Sequence, residues 1–272
     1  MQWPLFFDLY DWLASAALGY ARLAPIFYML PFLNSDLLPG VTRNAVIVMV
    51  ALGLWPYIPH ALAHLNGMAY ISLLAREATL GILLGSLLSV PFWVFHALGS
   101  IIDNQRGATL SSSIDPITGV DTSEMSNFLS LFSVAVYLQN GGMSLMLDVL
   151  SRSYQLCEPF ISCTLKWPSI FSLINTVMSK SIILASPVIA ALLLSEVLLG
   201  LLSRFAAQLN AFSIALTVKS GVALLIMLVY FKPTLPGAVM DLSPKPGVLS
   251  GWLSHDSSAY SQNSPSNIRL QK

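Results

Sequence analysis

Residues 77–107 read EATLGILLGSLLSVPFWVFHALGSIIDNQRG, a long apolar run that ends abruptly in a charged, amide-rich stretch. Between Glu77 and Asp103 the stretch contains no Asp, Glu, Lys or Arg. That length exceeds the roughly 20 apolar residues one helical membrane crossing requires. The run is helix-like by length, being apolar nearly all round. Gly81, Gly85 and Ser89 recur every four residues, a small-residue stripe that lets another helix approach closely. At the polar end Asp103 and Arg106 are three apart and can pair on one turn. Gly107 lets the backbone leave the helix. Ser111, Ser112 and Ser113, then Asp115-Pro116, read as turn. By itself this end is either a solvated loop or a functional one, and the residues alone leave both open.

Five more stretches approach spanning length, about 12–33, 43–65, 128–150, 181–203 and 211–231. None alternates with a period of two, which excludes a closed β-barrel. Pro25, Pro31, Pro56, Pro59, Pro91 and Pro187 fall in or beside the runs. In a lone soluble helix each costs about 3 kcal/mol, whereas packed helices re-satisfy the freed carbonyls. The expectation is an all-α membrane-associated protein of about six long, kinked helices. A polar loop at about 151–180 divides four helices from two. After Lys232 the chain turns rich in Ser, Pro, Gly and Asn, and residues 233–272 are expected to be a disordered tail.

Composition agrees. Of 272 residues 55% are hydrophobic and 10% charged, with 13 Lys and Arg balancing 13 Asp and Glu. Soluble domains carry roughly 25% charge, and mean hydropathy is +0.71. The chain lacks the basic excess that phosphate neutralisation demands, so nucleic acid is not an expected partner. It opens MQWPLFFDLYDW, with Asp8 and Asp11 and no basic residue before the first run, which is not a cleavable-signal pattern. Counting Arg43, Arg106 and Arg204 on one side against Arg76, Arg152, Lys166, Lys180, Lys232 and Lys245 on the other places both termini in the cytoplasm. Cys157 and Cys163 then stay reduced. They could pair if their loop faced an oxidising compartment.

Charges inside the runs mark buried pairing or an ion path. Arg22, Glu196 and Lys219 lie mid-run, where each costs roughly 2.5–3.5 kcal/mol at a helix centre. Glu196 and Arg204 share a helical face, which Gln208 extends, and Lys219 can reach Glu196 across a turn near 204–210. Structural pairing that fixes register and a transporter-like relay both use such residues. His60 and His64 could share a face, but no further ligand stands near, so no metal site is expected. No nucleotide, dinucleotide or hydrolase motif occurs, so no enzyme activity and no cofactor are expected.

The ordered set Gly99, Asp103-Asn104-Gln105-Arg106-Gly107, Asp115-Pro116, Gly141-Gly142, Ser151-Arg-Ser-Tyr154, Ser186-Pro187, Gly200-Leu-Leu-Ser-Arg204, Gln208-Leu-Asn210, Phe212 and Lys219 resembles the FliR/SctT family. These are export-apparatus proteins of flagellar and virulence type III secretion systems. The resemblance covers about residues 10–232 and is nearer the virulence branch, SctT. Ala207 departs from the proline common there. The resemblance implies a non-enzymatic subunit that joins SctR-like and SctS-like proteins, with a SctU-like switch protein and an inner rod nearby. Together these form an inner-membrane gate for unfolded proteins in transit. It implies an SctR-like part at 1–155, an SctS-like hairpin at 156–232, and a pore-sealing loop from about Ala108 to Asp121. Arg22, Glu196, Arg204, Gln208, Asn210 and Lys219 then read as buried hairpin and subunit contacts. It also implies that many of the helices face protein, largely beyond the bilayer plane.

Overall fold

In the computed structural model the opening stretch belongs to one helix, and four of the other helices pack directly against that rod. The structure describes residues 3–33, 39–54, 66–107, 123–158, 163–165, 167–205, 211–249 and 253–255. The helices are α1 (Trp3–Met29), α2 (Gly40–Leu54), α3 (Gly67–Arg106), α4 (Glu124–Gln139), α5 (Gly142–Leu156), α6 (Trp167–Phe205) and α7 (Ala211–Leu242). Short 3-10 turns occupy Pro31–Leu33 and Pro246–Val248, and two three-residue strands, β1 (Cys163–Leu165) and β2 (Leu253–His255), pair antiparallel. At 1.5 Å per residue the 40 residues of α3 make a rod about 60 Å long.

α1 lies parallel to α3 along the small-residue stripe. Tyr70 Oη donates to the Ala14 carbonyl at 3.0 Å and Ser89 Oγ to the Met29 carbonyl at 3.3 Å. A Cβ at Gly81 would stand 2.2 Å from the Arg22 carbonyl oxygen, and one at Gly85 3.1 Å from Ile26 Cα. The neighbour that the stripe called for is therefore α1, and the backbones meet with no room for a side chain.

α4 and α5 descend the other flank in one direction, antiparallel to α3. The start of α4 is held at Asp103, Tyr137 packs edge-on against Phe92 with ring centres 5.3 Å apart, and the end of α5 reaches Arg22. The single run expected at 128–150 is thus two helices. Gly141 takes φ +78°, a left-handed conformation that only glycine adopts without strain, and the rod breaks there. Phe32 completes the aromatic cluster with Phe92 and Tyr137 at 5.8 and 6.0 Å. This cluster sits in a core to which every one of the seven helices contributes buried residues, from Leu23 in α1 to Val239 in α7.

α6 runs parallel to α3, with Ser181 Oγ donating to the Val94 carbonyl at 3.3 Å, and α7 returns beside it. Phe231 of α7 meets Phe132 of α4 at 4.2 Å between ring centres. Among the described residues three helices are long and apolar enough to cross a membrane, α3 and the greater parts of α6 and α7. The apolar window of α3 is 67% buried within the chain, against 28% for α6 and 11% for α7.

Three expectations change. The polar loop expected at 151–180 is mostly helix: α5 runs to Leu156 and α6 starts at Trp167, because apolar residues among 167–180 extend the fifth run backwards. The tail expected to begin at 233 instead continues α7 to Leu242 with Pro233 and Pro236 inside the helix, and Leu235 and Val239 are buried. Leu253–His255 pairs with β1; residues 256–272 lie outside the described residues. The cysteines also differ, since Cys157 is disulfide-bonded and no free cysteine is found among the described residues.

Candidate functional site

The polar end of α3 and the start of α4 form one knot at the base of segment 108–122. α3 stops because Gly107 turns left-handed (φ 80°, ψ 16°) and its N–H bonds the Asn104 carbonyl at 3.2 Å. Asp103, one turn earlier, is 1% exposed. Arg106 Nε donates to Asp103 Oδ1 at 2.6 Å, so its charge is neutralised within its own helix. Met125 N donates to Asp103 Oδ2 at 3.0 Å, and Ser123 Oγ donates to the same oxygen.

Ser123 is the N-cap of α4 and accepts from Ser126 N at 3.3 Å. Two of the four orphan donors at that helix start are therefore met, one by its own cap and one by a carboxylate from α3. Gly99 completes the knot, because a Cβ there would stand 2.4 Å from Ser126 Cα. Asn104 and Gln105 are exposed on the last turn. Ser111, Ser112, Ser113, Asp115 and Pro116 lie outside the described residues, as do His60, His64, Gln208 and Asn210. Beside the knot an open apolar groove of about 500 Å³ lies between α4 and α7, lined by Phe128, Leu224, Met227 and Phe231 with Arg106 and Glu124 at its edge.

A second polar centre sits towards the other end of α3. Arg22, fully buried in α1, donates from Nε to Glu77 Oε2 at 2.6 Å and from Nη2 to the Cys157 carbonyl at 2.9 Å. Its guanidinium lies 4.1 Å from the centre of the Tyr154 ring. Arg76 Nη2 bridges Glu77 Oε1 at 3.1 Å and the Glu158 carbonyl at 3.0 Å. Burial pushes the Tyr154 phenol well above its ordinary pKa; Arg22 opposes that shift and Glu77 adds to it. The upward shift favours the neutral phenol, whose ring face attracts a cation.

Residue reasoning placed Arg22 among the buried charges but missed its partner. Glu77, at the edge of its run, is the other fully buried member of the pair. A signal was available, since a mid-run Arg demands an acid and the small-residue stripe beginning at Gly81 puts α1 beside Glu77.

The Lys219–Glu196 pair forms across the hairpin as the spacing suggested, at 2.9 Å. Its setting differs from expectation. The Glu196 side chain is 58% exposed and Arg204 is exposed too, so this chain by itself does not bury them. Among the described residues no group of three His, Cys, Asp or Glu could hold a metal ion.

Residues 13–242 match the family described as bacterial export proteins, family 1. The chain belongs to the FliR/SctT family. It is 58% identical over 252 residues to surface presentation of antigens protein SpaR of Salmonella typhimurium, covering 93% of this chain and 96% of that protein. SpaR of Shigella flexneri is 48% identical over 77% of this chain and 82% of its own. Yop proteins translocation protein T of Yersinia pestis is 30% identical over 81% and 88%. Flagellar biosynthetic FliR proteins match more distantly.

The family's short motifs gain physical reasons here. Gly99 to Gly107 is the knot at the base of 108–122, and Gly141-Gly142 is the break between α4 and α5. Tyr154, at the end of Ser151–Tyr154, is the aromatic floor beneath Arg22.

Proposed function

We propose that this chain is a non-enzymatic structural subunit of a type III secretion export gate in the inner membrane. With SctR-like and SctS-like partners it forms the passage for unfolded proteins. A SctU-like switch protein and an inner rod adjoin that assembly. The segment from Ala108 to Asp121 seals the passage until substrate arrives. Residues 1–155 act as the SctR-like part and 156–232 as the SctS-like hairpin.

The observation that carries this reading is the bare apolar surface of α6 and α7. Leu194, Leu198, Leu201, Leu225, Leu228 and Val229 are all exposed, on two helices whose apolar windows the chain barely buries. A face of this size needs a cover, and continuous apolar patches of more than a few hundred Å² mark interaction surfaces or lipid contact. The family points to homologous helices as that cover. The knot supports the loop's role, because Asp103 fixes both flanks of 108–122 to one rigid point. A transporter reading would place Glu196 in an enclosed path, where intramembrane acids do their work. On this chain it stands on the open face of the hairpin.

The test is co-expression with the neighbouring SctR-like and SctS-like chains and purification from membranes. All three are expected in one complex, and secretion should stop without this chain. Excising Ala108–Asp121 should raise small-ion leakage through the assembled complex. Recovery of this chain alone at full yield, or unchanged leakage, would overturn the reading.

A further inference from the structure

α2 packs against α1 and against no other helix to a comparable extent. Its buried stripe, Arg43, Ile47 and Ala51, recurs every four residues and lies in that seam. The outer face of α2 is bare. Val41, Val48, Met49 and Leu52 are exposed, and Arg43 is the one charged residue of Gly40–Leu54. α1 and α3 stand between this face and the α6–α7 hairpin, so the two open apolar surfaces are separate.

Arg43 is the anomaly here. At the edge of an apolar run it has the place of a solvated cation, yet it is 7% exposed. Its Nε is enclosed with no hydrogen-bond partner. The ion pairs among the described residues belong to Arg22, Arg76, Arg106, Arg152 and Lys219, and none to Arg43. The guanidinium lies 3.9 Å from the centre of the Tyr28 ring. A ring face attracts a cation but supplies no counter-charge. Arg22, stacked on Tyr154 in the same way, has Glu77 besides. A buried cation without an acid is costly. Arg43 is one anion short.

The site is held ready for one. Tyr20 and Tyr28 both donate from Oη to Asn44 Oδ1, at 3.3 and 3.4 Å, which fixes the start of α2 across α1. Tyr28 is half exposed, so the guanidinium stacked on it lies at the rim of the seam, where an approaching helix can meet it.

We propose that the outer face of α2 docks a helix of a neighbouring gate subunit, apolar except for one Asp or Glu whose carboxylate pairs with Arg43. That the neighbour is a gate subunit rests on the export-gate reading; that it brings an acid rests on Arg43 alone. A flat guanidinium fixed on a ring receives a carboxylate through two N–H groups and gives up little freedom in doing so. Arg and Tyr are also the side chains that dominate binding where apolar neighbours exclude water around them. Anionic lipid is the poorer fit. Its recognition uses clusters of Lys and Arg, whereas α2 carries a single, covered cation.

The test uses the full chain co-expressed with the SctR-like and SctS-like chains. With Arg43 intact, a benzophenone amino acid at position 41 or 49 should cross-link to a partner chain, in a peptide that contains Asp or Glu. Arg43→Glu should lower the partner recovered with this chain by about tenfold or more. Changing the acid of the cross-linked peptide to Lys should restore most of that loss, and Arg43→Lys should fall between the two. A complex that forms with no protein cross-link at 41 or 49, or with cross-links to phospholipid alone, would overturn the docking surface and leave the gate reading standing. Rescue of Arg43→Glu by Asp36→Lys would place the counter-charge within this chain and overturn it too. Absence of any complex with the unaltered chain would sink the gate reading and this proposal together.

Discussion

Gly99 lies so close to Ser126 that a Cβ on residue 99 would stand 2.4 Å from Ser126 Cα and 2.5 Å from Ser126 N. The obstacle is helix backbone, which cannot swing aside. Gly99→Val should therefore push α4 off α3, with a cost above the roughly 1–3 kcal/mol usual for overpacking. Limited proteolysis of the purified complex should show faster cutting near residue 123, with secretion lost. Wild-type protection in that variant would mean that the contact does not hold α4.

Asp103 accepts from Arg106, Ser123 and Met125, all at one buried carboxylate. Asp103→Ala strips a helix start of one partner and leaves Arg106 unpaired. Loss of a cap alone costs about 0.5–2 kcal/mol. Asp103→Asn keeps an acceptor for Met125 N but loses the charge, so it should retain more secretion than the alanine variant. Equal defects in the two would place the whole effect in the charge.

The Arg22–Glu77 pair is 0% exposed on both sides. Removing one partner strands a buried charge, at a cost of about 3–5 kcal/mol. Glu77→Leu and Arg22→Met should each lower the yield of folded complex sharply. The double variant should recover part of that loss, because an apolar pair carries no desolvation penalty. A double variant as poor as the sum of the singles would show that Arg22 acts through Tyr154 and the Cys157 carbonyl more than through Glu77.

Glu196→Gln should change little. Its partner Lys219 is mostly covered, but Glu196 itself is 58% exposed, and such pairs contribute about 0.2–1 kcal/mol at most. Secretion assays should give near-normal export. Abolished export with a normally assembled complex would revive the ion-path reading.

The all-α architecture was legible because the apolar runs are too long and too uniform for strands. The stripe at Gly81, Gly85 and Ser89 announced a close helix, and α1 supplies it. Residues 128–150 misled, because hydropathy averages over Gly141 and is blind to a left-handed φ. The extent of α7 misled for the converse reason. Pro233 and Pro236 look like stops, yet Leu235 and Val239 beside them are fully buried, and packing overrides local propensity there. At the candidate site Asp103, Arg106 and Gly107 could be read from spacing. Ser123, Ser126 and the Met125 N–H could not, since about twenty residues separate them from Asp103 in the chain. Only tertiary structure joins them.

The length of α3 sets a last constraint. A bilayer's hydrocarbon core is about 30 Å thick, half the length of this helix. No tilt that proteins adopt, up to about 40° from the membrane normal, hides a rod of that size. Set across a bilayer, α3 would leave some 15–30 Å projecting from the lipid slab, together with whatever is knotted to its ends. In that setting the molecule would be less a plug within a membrane than a post standing through it.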